Sequence, residues 1–200
     1  DRQAEQLDRA LDFAREHPGW ALRTRLKHLA DLVTPLSFTT RHAALGLYDR
    51  WRDRTDVSVR HVSGPRDLDR CTETLDALRQ PTDALKYDLV GYEDRMDTLY
   101  ATSSLAVSRA GAVTVAELTA VGMVPFPAAT GDHQTHNARV VEEAGGAVLL
   151  ADSDCDVSRV EPIVNGILGS PERIATMATA TLTLARPDAA ADLADLVEAK

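Results

Sequence analysis

The sequence predicts an α/β protein built on a parallel sheet, and three observations support this fold class. From about residue 57 onward, short apolar runs typical of strands alternate with longer segments of helical periodicity. Glycine and proline residues separate most of these segments. The helical segments have the length of right-handed crossovers between parallel strands. Because ligands of such folds bind at the carboxyl ends of the strands, the residues that follow each strand are candidates for a functional site.

The first half of this region supplies two strands and two helices. Val57–Val62 alternates apolar and polar residues and ends at a Ser-Gly-Pro turn, which predicts a strand. Residues 67–78 place apolar side chains at helical spacing. Tyr87–Val90 then reads as a short strand, and Asp94–Tyr100 reads as a short helix.

The second half continues the same alternation. We expect a brief apolar strand at Leu105–Val107 and a helix at Thr114–Val121 that a glycine closes. Val124–Phe126 is predicted to form only a short piece of a strand. A helix at Asp132–Ala144 is stopped by two glycines, and Ala147–Leu150 forms the next strand.

The last fifty residues are predicted to be helical. Ser170 and Pro171 combine an N-cap residue with proline at the first helical position, which is a typical helix start. Pro187 interrupts the helical pattern, and Asp188 is placed to cap a final helix that runs to Lys200.

The first fifty residues differ from the rest because they contain no predicted strand. Helices are expected at 1–17, 20–33 and 40–51. We leave 1–30 as an unassigned helical segment and place 31–200 in one Rossmann-like domain. The third helix is expected to bury a stripe formed by Ala44, Leu45, Leu47, Tyr48 and Trp51.

Composition narrows the classes of function. A net charge of −9 argues against nucleic acid as a partner. No apolar run approaches the ~20 residues that a membrane-spanning helix needs, and the charged N-terminus does not resemble a signal peptide. Cys71 and Cys155 stand apart from any cysteine or histidine cluster, so we expect reduced thiols in a cytoplasmic protein.

The first candidate motif is the strand–turn–helix that contains Ser108–Glu117. A helix N-terminus offers unpaired N–H groups and partial positive charge, which suit a phosphate. Gly111 allows a ligand to approach the backbone closely, and Thr114 adds a hydroxyl. Glu117 is placed to accept hydrogen bonds from the two hydroxyls of a ribose. The alternative is a capping box, in which Thr114 and Glu117 bond only to their own helix end.

The second candidate motif lies at the start of the helix predicted from Asp132. Gln134 and Asn137 share one helix face, and their amides both donate and accept hydrogen bonds, which suits sugar hydroxyls. The alternative is a polar helix end in solvent. His133 and His136 with Asp132 are a weak candidate for a metal site, because no further ligand is evident; we expect no metal. The two motifs together fit a sugar nucleotide.

A third candidate is Glu93, which follows a predicted strand end. Backbone groups there could contact the edge of a base. The alternative is an ordinary helix cap made by Glu93 or Asp94.

Read together, these segments resemble the C-terminal half of the MurG family of glycosyltransferases. The resemblance covers about residues 55–200, and the pairing of SRAGAVTVAE with DHQTHNAR is its most specific part. The matching segments are Val59–Asp67, Gly91–Met96, Val107–Glu117, Val124–Pro127, Asp132–Arg139, Ala144–Leu150 and the tail around Leu184–Ala189.

The resemblance implies one half of a GT-B enzyme that transfers N-acetylglucosamine (GlcNAc) from UDP-GlcNAc to lipid I, the lipid-linked muramoyl-pentapeptide. It further implies inversion by direct displacement without a metal or other cofactor, and a cytoplasmic enzyme held peripherally on the inner face of the cell membrane. Glu93 would contact the uracil through its backbone, Glu117 the ribose, and Gln134 with Asn137 the GlcNAc. Ala112, Val113 and Thr114 would meet the diphosphate. Val115 and Ala116 are expected as further UDP-GlcNAc contacts, and a phosphate contact by Ser37 is implied more weakly.

The chain departs from the family in three places. The acceptor domain that carries the family's candidate general base has no counterpart in these residues, so we assign no catalytic residue, and membrane contact is expected through that domain. The family's glycine loop is replaced by Leu32–Ser37, which has no glycine, and the strand before Pro125 is shortened. Two alternatives follow, namely another GT-B enzyme that uses a UDP-sugar, or a nucleotide-sugar-binding module without catalysis.

Overall fold

The structure is a computed structural model, and it describes most of the chain from residue 31 onward. The described residues are 31–35, 38–122, 124–129, 132–186, 188–189 and 194–195. The helices expected at 1–17 and in most of 20–33, and most of the final helix, lie outside these residues. None of the described helices combines the length and the apolar character that crossing a membrane requires.

Six strands and seven α-helices alternate along the described chain. The strands are β1 (Asp31–Pro35), β2 (Ser58–Val62), β3 (Lys86–Val90), β4 (Leu105–Arg109), β5 (Val124–Ala129) and β6 (Leu150–Ala151). The helices are α1 (Phe38–Trp51), α2 (Leu68–Leu78), α3 (Met96–Thr102), α4 (Ala112–Ala120), α5 (Asp132–Glu143), α6 (Val157–Leu168) and α7 (Pro171–Leu182), with a 3₁₀ turn at Asp152–Asp154.

All six strands form one parallel sheet in the order β3-β2-β1-β4-β5-β6. The predicted α/β fold with a parallel sheet is therefore confirmed. The chain order reverses direction between β1 and β4, where Leu32 pairs with Leu105. Such a switch point leaves a crevice at the carboxyl ends of the two central strands, which is where ligands bind in this architecture.

The main core lies between the sheet and the helices α1 and α6. Trp51 and Tyr48 of α1 are each only 2% exposed and pack with strand residues and with Val160 and Val164 of α6. All five residues of the predicted stripe on α1 are buried, so that prediction is confirmed. In β4 the first four residues are buried, as expected for a central strand with both faces covered.

Two strands differ from the prediction because of pairing that the sequence does not show. Residues 31–33, which helical spacing assigned to the helix 20–33, belong to β1. This strand pairs with β2 along its whole length and with β4 on its other side, so non-local pairing overrides the local pattern. β5 is six residues long and pairs with β4 from Val124 to Ala128. The expectation of a strand remnant was wrong.

The last strand is shorter than predicted, since β6 contains only Leu150 and Ala151 instead of 147–150. The Glu142 side chain accepts the Leu149 N–H at 3.0 Å, so this amide does not continue the sheet ladder. Just upstream, a Cβ at Gly146 would lie 2.4 Å from the hydroxyl of Thr181 on α7. The backbone packs so closely against α7 at this position that only glycine fits.

The helix start at Ser170 is confirmed. Ser170 is the N-cap of α7, its hydroxyl accepts the Arg173 N–H at 3.3 Å, and Pro171 is the first helical residue. This start fixes α7 against α6 and β5, behind the elements that carry the candidate site.

Candidate binding site at the switch point

The N-terminus of α4 lies directly after β4, at the switch point of the sheet. The helix begins at Ala112, two residues earlier than predicted, and its N-cap is Gly111, which makes no side-chain cap bond. The Gly111 carbonyl accepts the Val115 N–H at 2.9 Å. The N–H groups of Ala112, Val113 and Thr114 therefore belong to the unsatisfied first turn of a helix. This turn carries the positive end of the helix dipole and suits a bound phosphate.

The same geometry excludes the capping box. Thr114 is the third residue of α4, so it cannot act as the N-cap whose side chain Glu117 would reciprocate. Ala112, Val113 and Ala116 are exposed, while Thr114 and Val115 are half-buried. Val113 is 41% exposed and lies in the first turn, beside the N–H groups that have no intrahelical partner.

Gly111 leaves open space in front of this turn. Its φ of −60° is allowed for any residue. A Cβ added there would meet only the Thr114 hydroxyl, at 3.7 Å. Because neither backbone strain nor packing requires glycine at this position, the space that a side chain would fill is available to a ligand.

Glu117 lies on the same helix but is only 5% exposed. Burial raises the pKa of its carboxyl to about 7, and a hydrogen bond with Tyr100 partly opposes that rise. Side chains of a helix lean toward its N-terminus, so a residue here leans back toward the first turn of α4. A buried carboxylate is a strong acceptor for hydroxyl donors that exclude water from it.

Gln134 and Asn137 of α5 are tied to the turn that precedes α4. Gln134 accepts the Arg109 Nε–H at 3.1 Å through Oε1. Asn137 donates through Nδ2 to the Ala110 carbonyl at 3.1 Å. The structure therefore places both predicted amides beside the N-terminus of α4, and it gives Asn137 a bond that holds the β4–α4 turn in place.

Glu93 follows β3, and its side chain is held by Arg60 of β2. Arg60 Nη2 lies 2.7 Å from Glu93 Oε2, and Glu93 Oε1 accepts the Arg95 N–H at 3.1 Å. The interaction with Glu93 is the largest contribution to the raised pKa of Arg60. The Glu93 carboxylate is therefore held by Arg60 of the sheet and by the turn that follows β3.

Ser37 lies outside the described residues, as do the side chains of Asp132 and His133. His136 is exposed. Among the residues that the structure describes, no group of three or more histidine, cysteine, aspartate or glutamate side chains could hold a metal ion.

Sequence reasoning missed three residues that hold the predicted site. They are Tyr100 beside Glu117, Arg60 beside Glu93, and Arg109 beside Gln134. Arg60 pairs in register with Asp88 of the neighbouring strand and forms an ion pair with it. An arginine in the alternating pattern of β2 could have signalled such a cross-strand pair.

The chain is similar to known glycosyltransferases over most of its length. The profile of the Glycosyltransferase family 28 C-terminal domain matches residues 37–193. A UDP-N-acetylglucosamine–N-acetylmuramyl-(pentapeptide) pyrophosphoryl-undecaprenol N-acetylglucosamine transferase from Salinibacter ruber is 44% identical over 143 residues, which cover 70% of this chain and 37% of the relative. The enzyme of the same name from Acidothermus cellulolyticus is 42% identical, with 71% and 39% covered. The chain thus spans less than two fifths of the length of these relatives.

Solved structures show the same fold. MurG of Acinetobacter baumannii superposes with a TM-score of 0.78 at 20% identity, over 92% of this chain and 54% of that one. MnaA of S. aureus, solved with UDP, superposes with a TM-score of 0.64 at 10% identity, over 89% and 47%. The described residues have the Rossmann-like fold of one half of a GT-B glycosyltransferase. The profile match over 37–193 shows that this chain belongs to the glycosyltransferase family 28 C-terminal domain family.

Proposed function

We propose that residues 31–200 form the donor-binding domain of an enzyme that transfers GlcNAc from UDP-GlcNAc to lipid I, which yields lipid II for peptidoglycan synthesis. The observation that carries this proposal is the uncapped N-terminus of α4 at the switch point, with the buried carboxylate of Glu117 on the same helix. A ligand that satisfies both groups must carry an anion for the helix N-terminus and hydroxyl donors for the carboxylate, close to each other. The names of the relatives supply the substrates, since both act on UDP-N-acetylglucosamine.

Each part of the donor has a proposed partner near the switch point. The N–H groups of Ala112, Val113 and Thr114 bind the diphosphate, and Val115 and Ala116 line the same turn. Glu117 accepts hydrogen bonds from the ribose hydroxyls. The Glu93 backbone contacts the uracil. These groups span the carboxyl ends of β3 and β4, which is the edge of the sheet where a ligand of this fold lies.

The sugar end of the donor is assigned to the residues beside that turn. Gln134 binds the GlcNAc hydroxyls with help from Asn137, whose Nδ2 already donates to the Ala110 carbonyl. Ser37, which lies two residues after the end of β1 in the sequence, is proposed as a further contact to the phosphates.

The chemistry that we propose is a direct displacement that inverts the anomeric carbon. The acceptor hydroxyl forms the new bond, and the bond from the sugar to UDP breaks. Negative charge then develops on the departing diphosphate, in front of the α4 N-terminus, where fixed N–H dipoles stabilise it. Positioning of the two substrates supplies the rest of the acceleration. The general base is assigned to the acceptor side of the cleft.

Acceptor binding is assigned to the part of such an enzyme that these 200 residues do not match. We propose the same for the contact that holds the enzyme peripherally on the cytoplasmic face of the cell membrane. The described residues supply the donor side of the reaction only.

The proposal is tested by titrating the chain with UDP, UDP-GlcNAc and UDP-glucose in a calorimeter. We expect binding of all three and the highest affinity for UDP-GlcNAc. The full-length protein should then transfer GlcNAc to lipid I. Absence of UDP binding would refute the donor site. Transfer of GlcNAc to a different acceptor would identify another GT-B enzyme, and donor binding without any transfer would identify a binding module.

A further inference from the structure

Arg109 and Gln134 are joined by a hydrogen bond that connects the end of β4 with the start of α5. Arg109 is the last residue of β4 and pairs in register with Ala128 of β5. Gln134 lies in the first turn of α5, the helix that follows β5. The Arg109 Nε–H donates to Gln134 Oε1 at 3.1 Å, and both residues are half-buried. The bond therefore ties the amide proposed for the sugar to the sheet itself.

This bond determines which end of the Gln134 amide faces away from the sheet. A guanidinium carries only donors, whereas a primary amide has an acceptor oxygen on one side and an NH₂ group on the other. Gln134 must therefore direct its oxygen toward Arg109. Its Nε2 group then points away from Arg109 and keeps its N–H donors for other partners. A ligand that binds this end of the side chain must bring an acceptor atom.

Arg109 can also order the Gln134 side chain before a ligand arrives. A free glutamine side chain samples many rotamers, and fixing it costs conformational entropy. A hydrogen bond from a charged donor is stronger than one from a neutral donor, and the guanidinium is planar and rigid. Pre-ordering of this kind lowers the cost of binding. Asn137 differs, because the Ala110 backbone carbonyl orients it. Substitution of a side chain can therefore release Gln134 but not Asn137.

We propose that Arg109 is a positioning residue for Gln134, which it orients so that Nε2 donates to the oxygen of a sugar hydroxyl in UDP-GlcNAc. This inference depends on the proposed function, since it assumes that Gln134 contacts the GlcNAc. Arg109 acts on the sugar through Gln134 alone.

The test measures the sugar preference, defined as the affinity for UDP-GlcNAc divided by the affinity for UDP, by calorimetry on the full chain. Arg109→Met keeps an unbranched side chain but removes every N–H donor. The sugar preference should shrink by about 2- to 5-fold, as expected when one flexible side chain must be ordered on binding. A purely structural role of Arg109, or a direct contact with the diphosphate, would weaken both ligands equally and leave the sugar preference intact.

Arg139→Met is the matched control. Arg139 lies on the same helix as Gln134 but is exposed, so the same substitution there should leave the sugar preference unchanged. A folded Arg109→Met variant whose sugar preference changes by less than about twofold would overturn the inference. A wild type that binds no UDP, or that binds UDP and UDP-GlcNAc equally well, would instead refute the proposed donor site.

Gln134→Glu tests the orientation of the amide without changing Arg109. A carboxylate still accepts the Arg109 N–H, but it has no N–H donor to offer to the sugar. The sugar preference should therefore fall as far as it does in Gln134→Ala. Retention of the wild-type preference in Gln134→Glu would show that Gln134 binds the sugar through its oxygen, and this would overturn the inference even if Arg109→Met did not fold.

A double-mutant cycle tests whether Arg109 acts only through Gln134. If it does, the combination of Arg109→Met with Gln134→Ala must have the sugar preference of Gln134→Ala alone. A further loss of more than about twofold would show that Arg109 acts on the sugar by another route and would overturn the inference.

Discussion

Replacing Glu117 with glutamine should stabilise the protein above neutral pH while weakening its donor site. Glutamine keeps the shape of the side chain and an acceptor for Tyr100, but it cannot ionise. The pKa of Glu117 is raised by burial from 4.5 to about 7. At about 1.4 kcal/mol for each pKa unit, ionisation of the buried carboxyl lowers the free energy of unfolding by roughly 3 kcal/mol.

The sign and the pH window follow from the direction of this shift. A carboxyl whose folded pKa is raised contributes its full stability below the unfolded value of 4.5 and loses it as the pH rises through about 7. We therefore expect the difference in unfolding free energy between Glu117→Gln and the wild type to grow by roughly 3 kcal/mol from about pH 4.5 to about pH 7.5. Denaturant titrations at several pH values measure this difference, and most other ionisations cancel in it.

The same substitution at Glu73, which is exposed, serves as the control and should give a nearly constant difference. A constant difference for Glu117→Gln as well would refute the argument from burial. At pH 8, where the wild-type carboxyl is ionised, UDP affinity should fall by about 5- to 30-fold because a charged acceptor is replaced by a neutral one. Unchanged UDP affinity would refute the ribose contact.

Three further substitutions test separate parts of the site, and a fourth, at Gly146, is a control for stability. Gln134→Ala should lower the affinity for UDP-GlcNAc by about 3- to 10-fold and leave UDP within twofold, by calorimetry, because only the sugar loses a hydrogen bond; equal losses would contradict its role. Arg60→Met should cost at most about 1 kcal/mol of stability, since the ion pair with Glu93 is partly exposed. It should narrow the preference for UDP over ADP by about 3-fold in competition titrations, because the backbone at Glu93 is no longer fixed. Gly111→Ala should have a free energy of unfolding within about 0.5 kcal/mol of the wild-type value, but it should bind UDP at least about 10-fold less tightly. Gly146→Ala should show the reverse, with about 1–3 kcal/mol lost by overpacking and UDP binding retained.

The fold was largely predictable because most elements carry their own periodic signal. The strand at 58–62 and the helix at 68–78 follow directly from alternation and from helical spacing. β1 was missed because Asp31–Pro35 has no alternation, and it becomes a strand only through its two neighbours in the sheet. Residues 147–149 were overpredicted because a side-chain acceptor, Glu142, captures an amide that local sequence assigns to a strand.

The contacts that the candidate site residues make could not be predicted from the sequence. Thr114 and Glu117 fit a capping box and a ligand site equally well, and only the helix start at Ala112 excludes the box. Gln134 and Asn137 look equivalent on one helix face, yet one bonds to a side chain and the other to a backbone carbonyl. These differences arise from the packing of α5 against the β4–α4 turn, which no local pattern encodes.

The α4 region has two features that cost stability within one helix, and the proposed donor would compensate for both. An uncapped N-terminus leaves the first N–H groups of the helix without intrahelical partners, and Glu117 is a buried carboxyl group whose ionisation burial disfavours. From Ala112 to Glu117 the helix rises about 7–8 Å, a distance comparable to that between the diphosphate and the ribose hydroxyls of a nucleotide. In the complex that we propose, a diphosphate would supply partners for these N–H groups and a ribose would supply hydroxyl donors for the carboxyl group. It follows that uridine, which supplies only the ribose, and pyrophosphate, which supplies only the anion, should each stabilise the fold far less than UDP at the same concentration.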